Sequence, residues 1–179
     1  MLEGVKPMGI LFKSTISNIE SHKIIKLPLD VSEQLPSRGM VMIEGTINKV
    51  SFTAPLEPDG NGSHWLELSD RLYNEAGLLG EQVITIEIEP AREWIEPEIP
   101  ADIFDAIEKF GLLKQWNELT TKARWEWLRW IRSTKNQATR QKRIDVACSK
   151  LEKGDKRPCC FDGTRCTITE VSKSGVLLE

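Results

Sequence analysis

The sequence predicts an α+β protein in which a small amino-terminal β-barrel, built from an internal repeat, precedes a carboxy-terminal helical domain. Three observations carry this reading. A phrase of strand, short helix, glycine and strand occurs twice at a constant spacing of 41 residues, aligning Ile24 with Trp65, Leu27 with Leu68 and Gly39 with Gly80. Such a repeat means one supersecondary unit used twice. After Pro100 the apolar period changes from two residues to about 3.6. Charge divides at the same place, with 8 Lys/Arg against 15 Asp/Glu in residues 1–97 and 16 against 12 in 98–179. Domains at 1–97 and 98–179 follow, joined where Pro90, Pro97 and Pro100 stiffen and extend the chain.

In the first domain, residues 11–19, 24–27, 39–48, 50–56, 64–68 and 82–89 are short stretches rich in β-branched and aromatic side chains, which suit a pleated, half-buried surface. Two amphipathic pieces lie between them. They place Val31 four before Leu35 and Leu72 four before Ala76, as a helical turn requires. Ser69 can cap the second piece and Gly77 can stop it. One such unit cannot bury its own apolar face, whereas two crossing copies can close a barrel. The loop Pro58-Asp59-Gly60-Asn61-Gly62-Ser63 joins the copies. Its Asp-Gly and Asn-Gly pairs are turn dipeptides; the functional alternative is a nest of backbone N–H groups holding an anion, with His64 at its edge.

In the second domain, Ile103, Ile107 and Phe110 make one stripe, ended by Gly111. A second helix begins at Thr120 or Thr121 and runs to Ser133, with Ala123, Trp127, Leu128, Trp130 and Ile131 on its inner side. Trp125 falls nearly opposite, among Arg129 and Arg132. Burying that ring would be worth about 2–3 kcal/mol, so it either packs against the barrel or offers a stacking surface between guanidinium groups. A third helix spans about 137–153, stopped by Gly154, with Ile144, Ala147, Cys148 and Leu151 inward and Arg140 on the same arc. A guanidinium aimed at a core needs a carboxylate or helix-end carbonyls; an anion ligand is the alternative. Residues 120–158 carry 12 basic and 4 acidic side chains, which attract phosphate or simply form a solvated face.

Composition bounds the class. The chain has 179 residues, 40% of them hydrophobic and 28% charged, as an ordinary soluble protein does. No stretch approaches the roughly 20 apolar residues of a membrane helix, and residues 1–12 lack the pattern of a secretory signal. A cytoplasmic protein without membrane insertion is expected. In the tail, Cys159 and Cys160 are adjacent and Cys166 follows after five residues. Zinc sites favour pairs two to four residues apart, so these are weak metal candidates beside a reactive thiol or plain packing of a short strand at 166–171. No metal or cofactor is expected.

Two resemblances extend this reading. The barrel phrase "Leu-Pro, helix, Gly, strand" is similar to that of double-split barrels of the AbrB and MraZ type. Trp125-Glu126-Trp127-Leu128-Arg129-Trp130-Ile131, then Lys135 and Thr139-Arg140-Gln141-Lys142-Arg143-Ile144, resembles the bacteriocin-protection family described as YdeI or OmpD-associated, over about residues 98–158. The Leu-Pro, the Gly-Thr-Ile at 45–47, the Asp-Gly-Asn-Gly-Ser-His loop and the Ala-Gly-Leu before the last strand look like domain of unknown function 1905. Thr134 and Asn136-Gln137-Ala138 depart from the helical family's pattern, while Lys135 and Arg140 remain. The resemblance implies a phenotype, bacteriocin tolerance, rather than a reaction.

Three functions compete. The favoured one is a non-enzymatic protein of the bacteriocin-protection type that binds a partner protein or ligand, since His22 and His64 are the only histidines and no catalytic set accompanies them. Nucleic-acid binding through Arg129, Arg132, Lys142, Arg143 and Trp125 is possible but disfavoured by the acidic first domain. The third is small-molecule binding or catalysis in an interdomain cleft, using His64, Trp65, Trp94 and Arg140.

Overall fold

The computed structural model describes residues 9–80, 82–159 and 161–178. Six strands come first: β1 (Ile10–Ile19), β2 (His22–Lys26), β3 (Val41–Ile47), β4 (Val50–Pro58), β5 (His64–Glu67) and β6 (Val83–Pro90). Helix α1 (Leu29–Ser32) lies between β2 and β3, and α2 (Asp70–Glu75) between β5 and β6. Then follow α3 (Ala101–Lys109), α4 (Leu113–Glu118), α5 (Thr121–Arg132), α6 (Gln137–Glu152), α7 (Thr169–Ser172) and a 3-10 turn at Val176–Leu178. Two compact units result. The first runs through Glu93 and includes 164–166 and the residues from Glu170 onward; the second is Trp94–Gly163 with Thr167–Thr169. No helix of the described residues is long and apolar enough to cross a membrane.

In the first unit the strands close a barrel in the order β1-β2-β5-β4-β3-β6, each neighbouring pair antiparallel. Three pairings join strands distant in sequence: β1–β6, β2–β5 and β3–β6. Ile25 lies opposite Leu66 in β2–β5, and Thr46 lies opposite Glu87 in β3–β6; the members of both pairs are 41 residues apart. Strand β6 shows what fixes the register. Ile84, Ile86 and Ile88 are buried while Val83, Thr85 and Glu87 are exposed, so a slip of one residue would turn three isoleucines into water at roughly 2 kcal/mol each. Gly45, opposite Ile88, marks a close approach: a Cβ there would stand 2.5 Å from the Glu87 carbonyl oxygen and 3.1 Å from the Phe52 ring. The Ser69 hydroxyl caps α2 by accepting from the Leu72 N–H at 3.1 Å.

The second unit packs α3 to α6 around Ile103, Ile107, Trp116, Trp127, Ile131 and Ile144. Thr120 caps α5 by accepting from the Ala123 N–H, and Asn136 caps α6 by accepting from the Thr139 N–H. Four expectations are corrected here. Helix α4 was not anticipated, because six residues are too few to display a period. Phe110 is 56% exposed rather than part of the inner stripe, since α3 ends at Lys109 and the backbone turns away there. The tail at 166–171 forms no strand; α7 starts at Thr169. Finally, Arg129 sits 1% exposed although the helical period puts it on the polar side. Residues after α6 meet it there: Arg129 donates to the Gly163 carbonyl and its guanidinium lies 5.5 Å from the Phe161 ring centroid, while on the inner side the Trp127 indole N–H donates to the Lys156 carbonyl at 3.1 Å.

Candidate functional site

His64 opens β5 and is fully buried. Its Nε2 lies 2.7 Å from the Gly39 carbonyl oxygen, and its Nδ1 lies 2.6 Å from the Ser32 hydroxyl at the end of α1. A carbonyl can only accept, so Nε2 carries the proton and Nδ1 accepts from Ser32 in the neutral ring. The Arg38 guanidinium completes the cluster, donating to the Ser32 hydroxyl at 3.2 Å, the Gly62 carbonyl at 3.0 Å and the Leu35 carbonyl at 3.0 Å. A serine oxygen on an imidazole nitrogen has the geometry of a nucleophile and its base. Ser32 and His64 are both 0% exposed, however, and Arg38 already occupies the hydroxyl. The cluster therefore ties α1, the 37–39 turn and the β4–β5 loop together instead of presenting an attacking group. Trp65, beside it, is buried with its N–H on the Pro58 carbonyl at 3.3 Å.

The β4–β5 loop is organised by its own carboxylate. Asp59 Oδ1 accepts from the Asn61 N–H at 2.7 Å and the Ser63 N–H at 3.0 Å, while Gly60 and Gly62 take the positive φ the turn needs. These are N–H groups an anion would have used, and Asp59 has already filled them. Asp59 is itself only 7% exposed. The outer face of β3 and β6 forms a separate open groove of about 760 Å³ lined by Glu44, Glu87 and Glu89, whose like charges repel anions.

In the helical unit most of the proposed cations have partners. Arg140 forms a two-pronged pair with Asp102 at 2.7 and 2.9 Å; this guanidinium holds the Asp102 carboxyl below its ordinary value, and the carboxylate raises Arg140 in turn. Arg143 donates to the Trp130 carbonyl at 2.8 Å and to Ser133, with its guanidinium 5.6 Å from the Trp130 ring centroid. Arg132 donates to the Thr167 hydroxyl at 3.1 Å. Arg129 lies 5.5 Å from the Phe161 ring centroid. The half-exposed Trp125 donates its N–H to the Ile95 carbonyl at 2.9 Å, which gives its position a structural role. Trp94 is half-exposed beneath Lys122, 5.9 Å away, and Lys135 is exposed. The structure thus divides the sequence-derived residues between two units, His64 and Trp65 in the barrel and the remaining ring and cationic side chains among the helices.

Sequence reasoning missed Ser32, Arg38, Asp59 and Arg124. Arg124 pairs with Glu96 through two nitrogens and also donates to the Leu119 carbonyl at the end of α4; Glu96 is lowered from its ordinary value chiefly by that hydrogen bond. Only Asp59 had a readable signal, an Asp with Asn two residues on and Ser four on. Of the tail cysteines, Cys159 is exposed and Cys166 half-buried, whereas Cys160 lies outside the described residues. Cys148 is buried, which raises its thiol, with Asp145 adding a smaller push. Among the described residues no three His, Cys, Asp or Glu side chains gather as metal ligands.

Fold and site together define a two-unit α+β protein: a closed six-stranded barrel followed by helices whose cations are largely turned to internal pairing. Residues 12–88 match the family model of a domain of unknown function, DUF1905, and residues 96–154 match the one described as Bacteriocin-protection, YdeI or OmpD-Associated, in that order along the chain. No curated protein matches it.

Proposed function

We propose that this protein acts in bacteriocin tolerance by binding a partner protein through its helical unit, without making or breaking bonds, in the cytoplasm. The observation that carries this is the exposure of three large apolar side chains inside the bacteriocin-protection match: Phe104 of α3 and Phe110 and Leu113 at the α3–α4 turn are 38%, 56% and 36% exposed. Large apolar side chains grouped on a surface mark contact sites. The burial of Arg129 and the pairing of Arg140 with Asp102 support the same reading, because they withdraw cations that a nucleic-acid interface would need. The test is complementation of a deletion strain. The double variant F110S/L113S, which changes only exposed positions, is expected to fold as the parent does, to lose the partner in affinity capture and to leave the strain bacteriocin-sensitive. Full protection by that variant, or a deletion strain as resistant as its parent, overturns the proposal.

The barrel is further read as an internal repeat of the double-split, AbrB/MraZ-like type. The β2–β5 and β3–β6 registers each contain one pair 41 residues apart, Ile25 with Leu66 and Thr46 with Glu87, and exchanging β1, β2, β3 with β4, β5, β6 leaves the strand order unchanged. An experimental structure in which residues 22–47 fail to superimpose on 63–88 would refute this.

A further inference from the structure

We propose that His22 is a pH-sensitive latch that holds the carboxy-terminal segment, α7 and the 3-10 turn, on the barrel unit. The latch is separate from the helical surface above and uses none of its residues. Residues from Glu170 onward belong to the barrel unit. Val171 and Leu177 are buried, so apolar side chains anchor the segment at every pH. Val176 and Leu177 also form one wall of a groove of about 560 Å³ beside β1, the end of β2 and the β4–β5 loop. Whatever loosens the segment opens that wall.

His22 stands between two carboxylates. Its Nδ1 lies 2.6 Å from Glu67 Oε1 on β5, and its Nε2 lies 4.0 Å from Glu170 Oε2 on α7. A neutral imidazole carries one N–H, and the short contact takes it, since a carboxylate only accepts. Nε2 then turns a lone pair toward Glu170. A protonated ring carries an N–H on both nitrogens and places a positive charge between two negative ones. Its charged neighbours in the chain are Glu20, which adds to the negative field, and Lys23, which is met by Asp70 at 3.2 Å. Histidine is the side chain whose charge ordinarily changes between about pH 5 and 8. Docking brings Glu170 to the ring and so favours the protonated form more than the undocked state does. By linkage, the segment is held more tightly as pH falls from about 8 to 6 and slackens as it rises. All three side chains are partly exposed, which limits the change to about two- to fivefold in the opening equilibrium.

The test is hydrogen exchange of the full chain by millisecond labelling at about pH 6 and pH 8, read on the amides of residues 170–178 after correction for the intrinsic chemical rate. The segment is expected to be about two- to fivefold less protected at the higher pH. His22→Gln keeps a donor for Glu67 without a titrating proton, and Glu170→Gln keeps the shape of α7 without its charge. Each variant is expected to show the same protection of the segment at both pH values. Equal protection in the parent at the two pH values, protection that rises toward pH 8, or a pH dependence that survives undiminished in either variant overturns the proposal.

Discussion

Replacing His64 by Phe tests the buried cluster most directly. The ring volume is nearly kept, so little cavity arises and the polar contacts alone are removed. Those contacts are Nε2 to the Gly39 carbonyl at 2.7 Å and Nδ1 to the Ser32 hydroxyl at 2.6 Å, both at a residue with no exposure. A buried polar group stripped of its partner costs about 1–3 kcal/mol. Gly39 loses its His64 contact, whereas Ser32 keeps Arg38, so the sum is about 2–4 kcal/mol. In a unit of this size each kcal/mol lowers the midpoint by about 4–8 °C, which places the barrel transition about 8–32 °C lower. Trp65 is the barrel unit's tryptophan and sits next to the mutated residue, so its fluorescence alongside calorimetry separates that transition from the helical one. A companion Ser32→Ala and the double variant should show a coupling of about 0.5–3 kcal/mol. A shift for H64F within about 0.5 kcal/mol of zero, as at an unremarkable surface position, would refute the assignment of the cluster as the barrel's polar tie.

Three further outcomes are expected. Gly45→Val should place a branched side chain against the Glu87 carbonyl and cost at least about 1–3 kcal/mol of overpacking, seen as insoluble protein or a lowered barrel midpoint. Because Arg140 holds the Asp102 carboxyl below its ordinary value, the pair's contribution is whole above the unfolded carboxyl's range near pH 4 and is lost as pH falls through the lower folded value. Asp102→Asn should therefore flatten the acid limb of the helical unit's stability curve while costing less than about 1 kcal/mol at neutral pH, given its exposure. Arg129→Ala should strip the Gly163 carbonyl and the Phe161 ring of their partner, lower the helical transition by about 2–4 kcal/mol and speed tryptic cleavage at 153–157, with the barrel midpoint unchanged.

How much of this was legible in the residues depended on whether a side chain's role is local or long-range. The strands of the barrel could be read from alternation, as in Ile84, Ile86 and Ile88, and the caps Ser69 and Thr120 from their chemistry, because each is decided within a few residues. Arg129 could not. Its burial depends on Phe161 and Gly163 meeting a helix face more than twenty positions upstream, and those residues have no period to announce their path. Arg124 was hidden for the same reason, since Glu96 lies 28 residues away in an extended stretch with no pattern of its own. The buried cluster was half visible: His64 stood out as one of two histidines, whereas Ser32 and Arg38 are ordinary residues until β2–β5 pairing and the loop bring them to it.

The circular strand order has a consequence for whatever meets the first unit. Strands β1 and β4 each change partner midway: residues 10–15 pair with β6 and 16–19 with β2, while 50–56 pair with β3 and 56–58 with β5. These two long strands stitch the ring together, and a visiting peptide would find only short one-sided stretches of open backbone on them. Recognition by this unit therefore leans on side chains and loop backbone, where specificity can change by surface substitution.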